Sequence, residues 1–300
     1  MTKLTFENPF GAAGEWWRGN LHTHTTESDG ELPPDETAAR YRELGYDFLA
    51  LTDHNHITEV TGVPDGLLMV PGAEYGIGEG DPVRVWHVGC VGVTPGVPAD
   101  AGSPAELHAS VREHAAFSWV AHPYWSNLPE DEFAAFEGFD TTEVYNAVTE
   151  RVIDRGYSDA AWDYALASGV RINALAVDDA HSVHDFGRGW IMLRAEKLDL
   201  DAVYEALRRG HYYATSGPEI HDLTIEDDVV RVRCSRCRTI KFMAGNWRGA
   251  FISAPEGDTV TSAEYEITGD EVYVRVQVED AAGRRAYANP IYVERTEEGD

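Results

Sequence analysis

Short apolar runs alternate with segments of helical periodicity between Arg18 and about Arg194. Runs of this length bounded by turn residues are typical of buried strands. We predict strands over 19–24, 47–53, 68–74, 117–122, 140–146, 171–177 and 189–194, with an inserted strand over 84–93. Helical periodicity or helix-start residues mark 33–44, 103–116, 129–137, 151–167 and 200–209. This order predicts an α/β fold built from repeated β-α units, with one strand fewer than a regular eight-stranded barrel.

The pattern changes after Gly210, where alternating runs separated by Gly, Asp and Asn replace the helical segments. Strict alternation is typical of strands with one buried face. The pair Gly217-Pro218 interrupts the last helix-strand unit. We therefore predict two domains, an α/β domain over 1–217 and a small all-β domain over 218–300.

A chain of 300 residues with 43% hydrophobic content can bury one barrel core and a small second domain. No apolar stretch approaches the roughly 20 residues of a membrane span, and the first residues do not resemble a signal peptide. The cysteines Cys90, Cys234 and Cys237 are too few for a disulfide framework, and a lone C-x-x-C lacks the second ligand pair of a zinc ribbon. We expect a soluble cytoplasmic protein.

The formal net charge is −28, with 24 basic against 52 acidic residues. Such a charge repels nucleic acid and anionic membranes. The expected partner is therefore a small molecule, with no nucleic-acid polymer and no membrane, and we leave homo-oligomerisation open.

Ligand-type side chains gather where the predicted strands end. They are His22, His24, Asp53, His54, Glu74, His122, Asp179 and His181, with His87 in the inserted strand. The carboxyl ends of barrel strands form one mouth, where active sites lie. Residues i and i+2 of a strand share a face, which selects Asp179 with His181 and gives Asp178 a supporting or buried role. Asp29, in an Asp-Gly turn, is far enough along the chain to fold back over the site.

A lone histidine is seldom a metal ligand, but six of them at successive strand ends are hard to explain otherwise. Mixed His, Asp and Glu donors favour zinc, manganese or iron over calcium. The remaining histidines are expected at the surface, except His56 and His184, which lie near the mouth as candidate supporting or substrate contacts.

The motifs NLHTHTTESDG, LTDHN, GAEY, WHVG, VAHPYW and AVDDAH resemble, in order, those of the PHP (polymerase and histidinol phosphatase) metallohydrolases. The resemblance covers about residues 5–195 and implies a distorted (β/α)7 TIM-like barrel with two or three divalent metal ions. It implies one metal on His22, His24, Glu74 and Asp179, a second on Glu74, His87 and His122, and a third on Asp29, His54 and His181.

The segments GWIMLRAE, RRGHYYATSGPEI and AYANPIYVE resemble the CehA/McbA-like branch, which includes aryl-carbamate hydrolases. For the C-terminal segment we expect a sandwich-like cap or a packing or dimerisation element.

The expected activity is hydrolysis by a metal-bound hydroxide, most simply of a small phosphorylated metabolite or nucleotide. A carbamate or ester hydrolase is the alternative, and a metal-binding module without activity is disfavoured because all nine candidate ligands are intact. We expect His54 or His181 to assist protonation of the leaving group and Asp53 to orient a ligand histidine. Candidate substrate contacts are Arg18, Tyr124, Asn146 and Arg188; Arg84, Arg151 and Trp125 are weaker candidates.

Overall fold

The computed structural model describes residues 2–295 apart from 79, 82, 99, 100, 136, 137 and 140. The ends of the predicted helix 129–137 and of the predicted strand 140–146, and the last residues of the predicted domain 218–300, lie outside the described residues. Within the described part, the helices are α1 (Pro34–Glu43), α2 (Pro104–His114), α3 (Glu130–Ala135), α4 (Ala147–Ile153), α5 (Asp159–Ala167) and α6 (Leu200–Arg209).

The strands of the first two thirds of the chain are β1 (Thr2–Thr5), β2 (Glu15–Asn20), β3 (Phe48–Leu51), β4 (Leu68–Ile77), β5 (Trp86–Val91), β6 (Phe117–Val120), β7 (Thr141–Asn146), β8 (Asn173–Val177) and β9 (Trp190–Ala195). Those that follow are β10 (Tyr212–Thr215), β11 (Ile220–Glu226), β12 (Val229–Cys237), β13 (Thr239–Met243), β14 (Gly249–Ser253), β15 (Val260–Glu266), β16 (Tyr273–Glu279), β17 (Arg285–Ala288) and β18 (Ile291–Arg295).

The functional part of the fold is the run of neighbouring strands β2-β3-β4-β5-β6-β7-β8. β2, β3 and β4 pair in parallel, as do β6, β7 and β8, whereas β5 is antiparallel to both of its neighbours. A parallel bridge between Thr23 and Ala180 places the segment after β2 beside the segment after β8. The carboxyl ends of the first and last strands of the run therefore meet.

The predicted seventh strand does not belong to this run. β9 pairs antiparallel with β2 and leads through α6 into β10, which is antiparallel to β9. No helix separates β8 from β9 in the described chain, and parallel pairing needs a long crossover. The run still has seven strands, because it includes the inserted strand β5 and excludes β9.

The helices also depart from regular alternation. No helix lies among the described residues 52–67 that join β3 to β4. The single helix expected over 151–167 is two helices, α4 and α5, because Asp154 adopts a left-handed conformation, with φ 55°, at the end of α4. No described helix is long and apolar enough to cross a lipid bilayer.

Every element described after Gly217 is a strand. β11, β12 and β15 form a small separate sheet, but β10, β17, β16 and β18 continue the main sheet across the predicted boundary. β1 pairs with β18, so the first residues pack with the last strands. The division into domains 1–217 and 218–300 stays a prediction.

A buried ion pair joins α5 to the late strands. The Arg275 guanidinium is fully buried and donates two hydrogen bonds of 2.6 Å to the Asp163 carboxylate. Its Cζ atom lies 4.8 Å from the centre of the Trp162 ring. The Asp163 side chain is 27% exposed, and a second carboxylate, Asp159, lies 3.8 Å from Arg275 Nη2. Loss of Asp163 would leave the buried guanidinium with weaker compensation and would destabilise the fold.

Candidate metal centre

The candidate ligands come from the ends of successive strands of the run β2 to β8. Glu74 and His87 lie in the paired strands β4 and β5. The others follow β2, β3, β6 and β8 by two to four residues, except Asp29, which follows β2 by nine. His22 and His24 were expected inside a strand, yet β2 ends at Asn20. The bridge between Thr23 and Ala180 nevertheless keeps this stretch extended beside the residues after β8.

The Glu74 carboxylate is the centre of the cluster and is 1% exposed. Its Oε1 atom lies 3.1 Å from His87 Nδ1, 3.1 Å from His122 Nε2 and 3.4 Å from His22 Nε2. Its Oε2 atom lies 3.2 Å from His54 Nδ1 and 3.5 Å from His24 Nε2. One carboxylate is thus shared among five imidazoles.

The Asp179 and Asp29 carboxylates flank this centre. Asp179 Oδ1 is 3.2 Å from His22 Nε2 and 3.1 Å from His24 Nε2. Asp29 Oδ2 is 3.4 Å from His181 Nε2 and 3.6 Å from His54 Nε2 at the more exposed end of the cluster. The Asp-Gly turn does fold back over the site.

Donor atoms within 4.8 Å of one another divide the nine residues into overlapping sets. They are His22, His24 and Glu74; His22, His122 and Asp179; His54, Glu74 and His87; and His24, Asp29, His54 and His181. The structure brings together all nine residues that the sequence analysis singled out. His24 joins the set around Asp29, which the resemblance does not imply.

The donor atoms fit a cation. Asp179 Oδ1 and His54 Nδ1 are buried, and neither has a hydrogen bond of acceptable geometry in the described chain. Buried polar atoms without a partner are costly, and a metal ion is the partner that both a carboxylate and an imidazole accept. His, Asp and Glu donors together suit zinc, manganese or iron.

The charges of the cluster reinforce one another. Burial alone would raise the pKa values of Glu74 and Asp179, but the surrounding histidines hold both pKa values well below the ordinary range. Burial opposes protonation of His181, but the hydrogen bond to Asp29 and the charge of Asp179 raise its pKa to about 9. The carboxylates therefore stay ionised and attract positive charge.

Two ligands are held in unusual backbone conformations. His122 has φ 31° and Asp179 has φ 51°, values that side chains larger than glycine rarely adopt. Such strain persists only where the surrounding structure maintains it, typically at functional sites. Asp179 faces the cluster, as expected, but because of this left-handed turn rather than through the parity of an extended strand.

Asp178 has the supporting role expected of it. Its carboxylate accepts hydrogen bonds from the backbone amides of Gly187, Arg188 and Gly189 at 2.7 Å each, and from the Tyr41 hydroxyl at 2.9 Å. Burial raises its pKa to about 6, against the effect of these bonds. The residue fixes the loop after β8, on which Asp179 and His181 lie.

Asp53 supports the site in a way the sequence analysis did not foresee. It was expected to orient a ligand histidine, but its oxygens accept hydrogen bonds from Thr25 N at 2.7 Å, Ser28 Oγ at 2.6 Å and Thr58 Oγ1 at 2.5 Å. Asp53 thus anchors the loop that carries Asp29.

Glu143 is a functional residue that the sequence analysis missed. It is fully buried, and its Oε1 atom accepts from His22 Nδ1 at 2.6 Å and Trp119 Nε1 at 2.8 Å. Its Oε2 atom accepts from His122 N and Asn146 Nδ2, both at 2.9 Å. A carboxylate bonded to the outer nitrogen of a ligand histidine fixes its tautomer and orientation. A charged residue in the otherwise buried strand of β7 was the available signal.

Two of the expected substrate contacts have other roles. The Arg18 guanidinium lies 4.1 Å from the Tyr46 ring centre and 4.0 Å from that of Trp190, and it donates to Leu44 O, away from the cavity. Asn146 is buried and donates to Glu143 Oε2 at 2.9 Å and Asp179 Oδ2 at 3.0 Å. Both were predicted for their position in the sequence, which does not specify where a side chain points.

The remaining cationic candidates are also engaged elsewhere. Arg188 Nε donates to His184 O at 2.7 Å, and Arg151 Nε donates to the buried Asp185 carboxylate at 2.6 Å. Neither lines the cavity beside the ligand cluster. Tyr124 is 50% exposed and directly precedes Trp125, which does line it.

The cavity has a volume of about 250 Å³. One side consists of the ligands Asp29, His54, Glu74, His87, His122, Asp179 and His181. The other consists of Trp125, Val148, Thr149 and Val152. No lysine or arginine is among the described residues that line it.

No protein-family model and no curated protein matches the chain. Among solved structures, it is similar to a two-domain protein from Bacteroides vulgatus that contains a predicted PHP-like metal-dependent phosphoesterase, with 15% identity and a TM-score of 0.53, over 88% of this chain and 90% of that one. This likeness confirms the resemblance to PHP proteins at the level of the fold. The CehA/McbA branch stays a prediction.

Two further likenesses are weaker. A candidate metal-dependent phosphoesterase from Bifidobacterium adolescentis has 16% identity and a TM-score of 0.41, over 64% of this chain and 96% of that one. The lesion-specific endonuclease PfuEndoQ from Pyrococcus furiosus has 16% identity and a TM-score of 0.44, over 65% of this chain and 56% of that one.

We expect the purified chain to hold more than one divalent ion, because the donor atoms divide into several sets that share Glu74, His22, His24 and His54. Elemental analysis of protein prepared without chelator and supplemented with zinc or manganese measures the stoichiometry. A value at or below one ion per chain would contradict a multinuclear centre.

We expect Glu143→Gln to weaken metal binding by about 10- to 100-fold. Glutamine offers one acceptor atom where four donors converge, so donors that orient His22 and His122 lose their partner. Titration against a competing chelator measures the affinity. Glu113→Gln, the same change at an exposed position of α2, is the matched control. Unchanged affinity in a folded Glu143→Gln protein would contradict this role.

Proposed function

We propose that the chain is a metal-dependent hydrolase, and that its substrate is a small phosphorylated molecule. The observation that carries the proposal is the buried, shared Glu74 carboxylate with histidine nitrogens at 3.1–3.5 Å on both of its oxygens. Such a donor set has no evident use except to hold divalent ions. We also interpret β2 to β8 as the distorted (β/α)7 barrel and the strands after Gly217 as the small all-β domain.

The chemistry that divalent ions supply at such a centre is a lower pKa of coordinated water and neutralisation of charge on the phosphoryl oxygens. We assign the nine clustered residues as ligands: His22, His24, Asp29, His54, Glu74, His87, His122, Asp179 and His181. Zinc, manganese and iron all suit this set.

Residues of the chain also position the candidate ligands and supply a proton to the departing group. Glu143 and Asn146 hold His22 and Asp179 in position, and Asp53 holds the loop of Asp29. In hydrolysis, the oxygen of water bonds to phosphorus, the ester P–O bond breaks, and the departing oxygen takes a proton. His54 and His181 have side chains 24% and 31% exposed, at the open end of the cluster. Either ring can deliver that proton when no ion engages it.

A carbamate or ester hydrolase is the second candidate. The supporting observation is that no lysine or arginine lies among the described lining residues, whereas phosphate sites commonly include one. In a carbamate or ester hydrolase, the same metal centre would act on an acyl carbon. Glu143, Asn146 and Asp53 would position the candidate ligands as they do for a phosphoesterase.

A substrate panel separates the two candidates. We expect the metal-loaded chain to hydrolyse phosphomonoesters faster than phosphodiesters and aryl carbamates, with turnover reduced to background in Glu74→Gln because that carboxylate is shared by the ligand sets. Steady-state rates with each compound class decide between them. Turnover of carbamates alone would establish the second candidate, and turnover of none would contradict both.

We expect no processive degradation of nucleic-acid polymers. With 24 basic and 52 acidic residues, long-range repulsion opposes a duplex, which needs a track of lysine and arginine. Degradation and gel-shift assays at low and high salt test this, since salt screens the net charge. Cleavage of long single strands with small phosphoesters untouched would contradict the small-molecule proposal.

A further inference from the structure

The cavity beside the ligand cluster has two chemically different walls. Besides the candidate ligands, its lining includes the apolar side chains of Trp125, Val148 and Val152, together with Thr149. Val152 is 60% exposed and Trp125 is 37% exposed. Exposed apolar side chains that line a cavity beside a candidate metal centre are typical of a substrate-binding surface.

The apolar wall, defined as Trp125, Val148 and Val152, is fixed relative to the ligands. Val148 and Val152 are four residues apart on α4 and therefore share one face of that helix. Asn146 caps α4, since its Oδ1 atom accepts from Thr149 N at 3.1 Å, while its Nδ2 atom donates to Asp179 Oδ2 at 3.0 Å. Val148 N donates to Asp178 O at 3.1 Å. Asn146 thus forms hydrogen bonds both to Asp179 and to the first turn of α4.

Trp125 packs against two of the clustered histidines, His122 and His87. Its ring centre lies 4.8 Å from that of His122, at an interplanar angle of 78°, and 6.0 Å from that of His87. The indole ring therefore borders the ligand cluster. A group attached to an atom bound at the cluster can therefore contact the indole ring.

The wall offers little to a polar or charged group. No lysine or arginine lies among the described lining residues, and a sugar or a nucleotide would leave its hydroxyls and amides opposite valine and indole. Unpaired polar groups in such a site cost more than apolar groups gain. The cavity volume of about 250 Å³ is also below the usual range for drug-sized ligands, which is about 300–1,000 Å³.

We propose that the substrate is a monoester of a compact apolar alcohol or phenol, and that Trp125 and Val152 determine this specificity. The inference rests on the proposed function, because it assumes that the ester oxygen reacts at the ligand cluster. Water adds to phosphorus, the P–O bond to the apolar group breaks, and the alcohol leaves with the proton. The phosphoryl group lies at the ligand cluster and the apolar group against the wall.

Two matched substrates test the wall. Cyclohexyl phosphate and myo-inositol 1-phosphate are both secondary alkyl monoesters of a six-membered ring, and they differ in the ring hydroxyls. We expect the metal-loaded chain to have at least about tenfold higher kcat/KM for cyclohexyl phosphate, the factor that corresponds to burial of one to two methylene groups. Equal or higher kcat/KM for the inositol ester would overturn the proposal.

Val152→Asn tests the residue. We expect it to reduce the preference about fivefold, mainly through KM for cyclohexyl phosphate, with metal content unchanged. Folding should be preserved because Val152 is largely exposed. Val272→Asn, the same change at a position 49% exposed just before β16, is the control and should leave the ratio unaltered. An unchanged ratio in Val152→Asn would overturn the role of Val152.

If the proposed function is wrong, the metal-loaded chain will hydrolyse no phosphoester at all, which differs from the loss of a preference between two esters. In that case, calorimetric binding of cyclohexylphosphonate and methylphosphonate to the metal-loaded chain still tests the wall. Tighter binding of the cyclohexyl compound, lost in Val152→Asn, supports the wall, whereas equal binding of both compounds overturns it.

Discussion

The structure depends on one electrostatic constraint, the burial of the Glu74 and Asp179 carboxylates in a space they share with imidazoles. Two buried anions would be strongly unfavourable without positive charge nearby. The histidines supply part of it, which is why the pKa of each carboxylate lies well below its ordinary value despite burial. The imidazoles cannot both share protons with the carboxylates and use their lone pairs on metal. Metal affinity should therefore depend on pH, and the stability of the site is linked to its ions.

This constraint accounts for the network around the ligands. Glu143 receives four donors and fixes His22 and the backbone of His122, while Asn146 connects Glu143 to Asp179 and caps α4. Because α4 also carries Val148 and Val152 of the apolar wall, the same hydrogen bonds fix these two side chains relative to the ligand cluster. The left-handed backbone at His122 and Asp179 is the local cost of turning these side chains inward at the strand ends.

The sequence predicted well what depends on local pattern. Periodicity predicts the positions of the strands, and the His, Asp and Glu residues in or after those strands account for eight of the nine clustered residues. Asp29 was singled out because of its Asp-Gly turn. The errors concern long-range pairing and side-chain direction. Periodicity finds β9 but cannot say that it pairs antiparallel with β2, outside the run. Likewise, Arg18 and Asn146 are near the site in sequence, but their partners, among them Tyr46 and Asp179, become neighbours only in the fold. Glu143 was overlooked because a single carboxylate in a strand has no motif, and its burial becomes evident only in the fold.

The net charge of the protein acts at long range, whereas at the site the partners of individual charged residues matter. At long range, a net charge of −28 disfavours polyanions. Near the site, two arginines proposed as substrate contacts are already bonded, Arg151 to Asp185 and Arg188 to a backbone carbonyl. In the proposed phosphoesterase reaction, positive charge for the phosphoryl group would come from the ions, which bind one compact anionic group rather than an extended one. The remainder of the proposed substrate would lie against indole and valine, where hydroxyls would lose hydrogen bonds to water without replacement. A substrate with one compact anionic end and one compact apolar end satisfies both constraints.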